Sequence, residues 1–164
     1  MSFNIQIELD QQSPIMQVLH HLGHLDKTAM FGEIGAEVLA STQQRFIDQK
    51  DVQGNPWKPS WRVKLQGRNE GQNGQTLRDT GRLLNSLTYN VSSNGIEIGT
   101  DVIYAPVLHY GMKILPKTAK YLVFNVGGQV RKVKEVNIPA RSFLGIDQKD
   151  EENILNIIGK HLNV

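Results

Sequence analysis

The sequence predicts an α+β domain, in which helices from both ends of the chain pack with an antiparallel sheet. Three observations carry this prediction. Apolar residues recur at helical spacing from Phe31 to Phe46 and again from Ile154 to Leu162. Between these stretches lie two pairs of short β-rich runs, each pair joined by a turn signal. A polar, basic, glycine-rich segment precedes the first pair. At 164 residues the chain fits a single domain, 1–164, and can bury a core without metal or disulfide help.

The elements follow in order. Phe3, Ile5, Ile7 and Leu9 alternate with polar residues, as a strand does. Pro14 can open a short helix carrying Ile15, Val18, Leu19 and Leu22 and ending near Gly23. Asp26 or Thr28 then caps a longer helix whose buried face is Phe31, Ile34, Val38 and Phe46. Gly32 and Gly35 lower its helix propensity and would permit close packing against another backbone. Gln53 to Gln75 is expected as one long, mobile loop, 53–75; loops of that length are uncommon unless functional or disordered. Asp79 or Thr80 caps a short helix through Leu87.

Next, "LTYNV" and "IEIGT" flank Ser92-Ser93-Asn94-Gly95 and predict a hairpin. "YAPVLHYG" predicts a helical turn or a short helix broken by Pro106. "YLVFNV" and "QVRKVKEV" flank Gly127-Gly128 and predict a second hairpin. Val130, Val133 and Val136 fall out of strict alternation there, which leaves room for a bulge. Finally, Asp147 and Asp150 to Glu152 place negative charge at a helix start, and Lys160 and His161 place positive charge near its end. Ile154, Leu155, Ile158 and Leu162 form the apolar stripe of that helix.

Composition excludes several function classes. There is no cysteine, so disulfides, thiolate metal sites and a cysteine nucleophile are ruled out. Net charge is +2 with pI about 8.9, weaker than the footprint of a dedicated nucleic-acid binder. No apolar run approaches the roughly 20 residues that span a bilayer. "MSFNIQIELD" has neither a basic nor a continuous apolar region, so no signal peptide is expected. A soluble protein made in the cytoplasm is the expectation.

Candidate chemistry is sparse. His20 and His24 would share a helical face, with His21 between them, as a metal pair could. No HExxH glutamate or third ligand accompanies them, so a partly exposed histidine face is favoured over a hydrolase metal site. His109 in "VLHYG" could act as a general base, but a packed histidine bonded to a backbone group is favoured. Asp150, Glu151 and Glu152 are explained by their place at a helix N-terminus. No GxSxG elbow occurs, and the glycines at 67, 71 and 74 lack the Lys-Ser/Thr of a phosphate loop. No cofactor is expected from these residues.

The basic segment holds Lys58, Arg62, Lys64, Arg68, Arg78 and Arg82 against Glu70 and Asp79. These cations could neutralise phosphates in a nucleic-acid-binding module, or contact another acidic surface. Charge alone favours a solvated loop. Trp57 and Trp61 either anchor this segment on the domain or anchor a partner.

Four segments carry a resemblance: "GNPWKPS", "LRDTGRLLNSL", "IGTDVIYAPVLHYG" and "IPARSFLG". In order and spacing they resemble the phage virion morphogenesis family, the tail-completion proteins that include the phage Mu protein G group. Trp57, Pro59 and Ser60 match its first motif, and Leu77, Thr80, Gly81, Leu83 and Ser86 its second. Gly99, Thr100, Tyr104, Ala105, His109 and Gly111 match the third. Ile138, Pro139, Ala140, Arg141, Phe143, Leu144 and Gly145 match the fourth. Ser142 stands where the family has proline, and no leucine separates Pro59 from Ser60.

The resemblance implies a structural protein without catalysis, acting in tail completion or head–tail joining within the virion and assembled in the host cytoplasm. It implies a homo-oligomeric ring whose heterologous interfaces close by rotation. Tail-tube or neck proteins would be its partners, and DNA would pass through the channel. In the fourth motif, Pro139 extends the chain and Phe143 and Leu144 can bury beside the last helix. Arg141 could then bond a carboxylate or carbonyls of an adjacent segment or subunit. The expected alternatives are an intrachain clamp tying the helix start to the sheet, or a subunit interface.

Overall fold

A computed structural model of the chain describes residues 3–8, 26–66, 74–126 and 128–162. The predicted helix from Pro14, together with His20, His21, His24, Arg68 and Glu70, lies outside the described residues.

Helix α1 (Lys27–Asp48) begins where Asp26 accepts the Ala29 N–H at 3.0 Å, so the predicted aspartate cap is made. Its apolar stripe, Met30, Phe31, Ile34, Val38 and Phe46, is buried. The hairpin pairs β2 (Thr88–Ser92) with β3 (Gly95–Thr100), as the Asn-Gly turn predicts. β1 (Phe3–Glu8) adds to the other side of β3, so the sheet is antiparallel with order β1-β3-β2. Ile5 and Tyr89 both lie opposite Ile98, and α1 covers this sheet. The close approach permitted by a small residue occurs at Gly35, and it is made by the ring of Tyr89 rather than by a backbone. Gly32 has nothing near it.

Three sequence expectations need correction. The segment from Gln53 to Gln75 is not one structureless loop, because α2 (Trp61–Gln66) lies inside it. Ser60 accepts the Val63 N–H at 3.3 Å, and Val63 is buried, so one turn of the segment has both a cap and an anchor. The helix predicted through Leu87 is the shorter α3 (Arg82–Asn85), opened by Gly81 at φ 80°; Thr80 accepts the Arg82 N–H, while Asp79 faces Arg62 instead. Pro106 does not break its helix. It sits in the first turn of α4 (Ala105–Tyr110), where a missing N–H costs no hydrogen bond.

The rest of the chain forms two ribbons. β5 (Leu122–Val126) pairs with β6 (Gln129–Val133) as the second predicted hairpin. No bulge is needed to explain Val136: it belongs to β7 (Val136–Ile138), which pairs with β4 (Met112–Ile114). Helix α5 (Gln148–Leu162) packs on α1. The core joins α1, β3, Leu83, Leu87, Val102, Ala105, Phe143, Leu144, Ile157 and Ile158 in one cluster.

Candidate functional site

The motif segments converge in space. The Arg141 N–H donates to Leu108 O at 3.0 Å and to His109 O at 3.2 Å, which joins the fourth motif to the third. Arg141 Nε donates to Lys58 O at 2.9 Å, which joins it to the first. Gly111, at φ 76°, lies so close to the fourth motif that a Cβ would stand 2.6 Å from Ala140 N. The second motif meets the third where Ser86 Oγ and Thr100 Oγ1 share a 2.6 Å hydrogen bond. Thr100 Oγ1 also accepts the Val102 N–H, so a buried hydroxyl fixes the bend after β3. Residues distant in sequence thus form one junction, and its geometry depends on short polar contacts rather than on chain adjacency.

Arg141 is 4% exposed. Its hydrogen bonds run within the chain, from the side chain to Lys58 O and from the N–H to α4, and among the described residues none reaches the sheet. Burial lowers its pKa from the usual arginine value. Phe143 is fully buried, its ring 5.4 Å from Phe46 and 5.0 Å, edge-on, from His109. His109 is also buried: its Nδ1 accepts the Phe143 N–H at 3.4 Å. Burial lowers its pKa, which favours the neutral imidazole that can accept this bond. That is a packed histidine bonded to a backbone group.

The two tryptophans separate. Trp57 is buried, edge-on to Phe46 at 5.3 Å, and anchors its segment on α1. Trp61 is 60% exposed. The cations separate as well. Arg62 Nη2 donates to Gln75 O at 2.7 Å and to Arg78 O at 3.3 Å, and Arg62 Nε lies 3.5 Å from Asp79. Arg78 donates to Gln75 Oε1 at 2.5 Å. These two arginines organise their own segment. Lys58, Lys64 and Arg82 are exposed.

The residue that sequence reasoning missed is Arg45. It is buried on α1, and its guanidinium meets the start of α5. Nη1 donates to Gly145 O at 2.9 Å; Nη2 pairs with Asp147 at 3.1 Å and with Asp150. The two aspartates cap each other reciprocally: the Asp150 N–H donates to Asp147 Oδ1 at 2.9 Å and the Asp147 N–H to Asp150 Oδ2 at 3.0 Å. Asp150 is therefore more than a dipole partner at a helix start; it is a buried half of an ion pair. Burial works to raise the Asp147 carboxyl, but the Asp150 N–H, the Arg45 guanidinium and the Lys149 N–H together hold it below the usual range. A signal was present in the sequence. Arg45 continues the stripe of Phe31, Ile34, Val38 and Thr42, where a solvated charge does not belong.

Among the described residues, no group of three or more His, Asp or Glu side chains could hold a metal ion. No helix there is long and apolar enough to cross a membrane.

The model of the phage virion morphogenesis family matches residues 8–163 of this chain. The chain is also similar to "Mu-like prophage FluMu G protein 2" of Haemophilus influenzae. The two are 27% identical over 155 residues, which covers 94% of this chain and 93% of that protein. No solved structure gives a significant match.

Proposed function

The chain belongs to the phage virion morphogenesis family, and from that premise we propose that it is a tail-completion or head–tail joining subunit. It works by self-association and by docking on tail-tube or neck proteins, is assembled in the host cytoplasm, and performs no catalysis.

The observation that carries the docking role is the β5–β6 ribbon. Its register puts Val123, Asn125, Val130 and Lys132 on one face, all exposed, with Val123 at 62% and Val130 at 71%. The opposite face, Leu122, Phe124, Arg131 and Val133, is half-buried. A lone two-stranded ribbon is marginal in water. An apolar outer face on such a ribbon gains stability when a neighbouring subunit covers it. Met112 and Leu115, on or beside β4, and Tyr110 before it are exposed as well. The groups best suited to chemistry are engaged in structure instead: His109 packs on Phe143, and Asp147 and Asp150 pair with Arg45.

The test is solution mass by light scattering over a concentration series, alone and with the tail-tube protein encoded nearby. A discrete oligomer, or a complex formed with the tube protein, is the expected result. A monomer indifferent to the tube protein, and unable to restore a tail-assembly mutant, would overturn the proposal. A salt-titrated DNA-binding assay would then take up the nucleic-acid reading of the basic segment.

A further inference from the structure

A cleft of about 630 Å³ opens beside Arg141. Its volume lies within the range of sites that bind small groups. The first, second and third motif segments form its walls: Ser60 and Arg62 on one side, Leu77, Thr80 and Arg82 on another, Tyr104 and Leu108 on the third. The backbone turns sharply there, with Leu77 at φ 63° and Gly81 at φ 80°.

Two buried or half-buried guanidiniums in this cleft hold donors in excess of their acceptors. Arg141 spends Nε on Lys58 O, and among the described residues no acceptor meets its Nη1 or Nη2. Arg62 spends Nη2 on two carbonyls, yet its Nη1 is buried with no hydrogen-bond partner. A buried N–H without an acceptor is costly, more so on a charged group. Arg62 Nη1 is such a group; the Arg141 Nη atoms are not sealed from solvent, so they are the donors the cleft can offer an anion. The remaining walls are largely apolar, through Leu77, Leu83, Leu108 and Tyr104.

We propose that this cleft receives a carboxylate flanked by an apolar side chain, presented by a protein segment of a partner, with Arg141 and Arg62 as its donors. The planar guanidinium matches a carboxylate in a bidentate fork, and the leucines and Tyr104 accept the neighbouring apolar group. A nucleic-acid backbone fits less well. Its phosphates are read by exposed cations along a track, whereas Arg141 is buried and Arg62 half-buried in a recess. Asp79 in the wall already faces Arg62 Nε at 3.5 Å, which leaves Arg141, among the described residues, as the principal free cation for a single carboxylate. The inference rests on the docking role only for the identity of the partner; the recognition itself is measured without one.

The test is an NMR titration of the isotope-labelled full chain with two blocked tripeptides, Leu-Glu-Leu and Leu-Gln-Leu, and separately with inorganic phosphate and a DNA duplex. The expected result is saturable shifts at the amides of Ser60, Leu77, Leu108 and Arg141 with the glutamate peptide. The glutamine peptide should bind at least about tenfold more weakly, as the loss of a charge-assisted hydrogen bond implies. Arg141→Ala should abolish the shifts. If that variant fails to fold, Tyr104→Ser at the exposed rim should weaken binding about threefold or more with an unchanged melting temperature. Equal binding of the two peptides, no binding of either, or stronger shifts with phosphate or DNA would overturn the proposal. Light scattering with the tube protein can succeed or fail independently of these outcomes.

Discussion

Arg45 and Asp150, 105 positions apart, form a buried ion pair that locks the C-terminal half of α1 to the first turn of α5. The pair is supported on both sides, by Gly145 O on the arginine and by the Asp147 N–H on the aspartate. Breaking such a pair costs far more than its net contribution, because the surviving charge stays buried and uncompensated.

Arg45→Met and Asp150→Asn should therefore each destabilise the fold by about 3–5 kcal/mol. The double variant Arg45→Met/Asp150→Asn should lose less than the sum of the two single losses, since neither charge is left without its partner. Urea unfolding curves of the four proteins decide this. Additive losses in the double variant would refute the pairing.

Arg141→Ala should lower the melting temperature, because the Lys58 carbonyl loses a charged donor and the Trp57 segment loses its tie to α4. The expected cost is about 1.5–3 kcal/mol. A melting curve identical to wild type would show that the tie contributes nothing to the isolated chain.

Gly35 and Gly32 make a paired test on one helix. Gly35→Ala sets a Cβ within the Tyr89 ring and should cost about 1–3 kcal/mol. Gly32→Ala meets open space and should stabilise by up to about 1 kcal/mol through helix propensity. Thermal unfolding of both variants reads the contrast, and equal effects would contradict the Tyr89 contact.

Acid should weaken the fold in two steps. The folded His109 pKa is lowered by burial, so the unfolded chain binds this proton first. Stability then falls as pH drops below the ordinary histidine value of about 6.5, down to the folded value. Asp147 is also lowered, so its contribution is complete above the ordinary aspartate value of about 3.9 and is lost as pH falls through the folded one. Urea midpoints across this range, for wild type and His109→Asn, measure the first step. A variant with the wild-type slope would exclude His109 as its source.

Val123→Ser with Val130→Ser alters exposed positions on the outer face of the β5–β6 ribbon. The monomer's unfolding free energy should stay within about 0.5 kcal/mol of wild type, as with most surface changes. The oligomer or tube complex should weaken by roughly tenfold or more, from two lost apolar contacts. Undiminished assembly would move the interface elsewhere.

The sequence by itself determined what depends on neighbours along the chain. Helical spacing located α1 and α5, Asp26 marked the start of α1, and the turn dipeptides located both hairpins, because periodicity and turn chemistry are local properties. The ordered motifs also point to the family to which the chain belongs. Only the tertiary structure decided where β1 pairs, since its alternation fits any free strand edge and its partner β3 comes some ninety positions later. The same holds for Arg45 and Asp150. Each looks like an ordinary helix charge until packing removes the water around it, and then each requires the other. Trp57 and Trp61 are four positions apart and alike in composition of surroundings, yet one is core and one is surface. What separates them is that Phe46 and the Arg141 tie hold the chain at Trp57, and contacts of that range are written in no single stretch of the sequence.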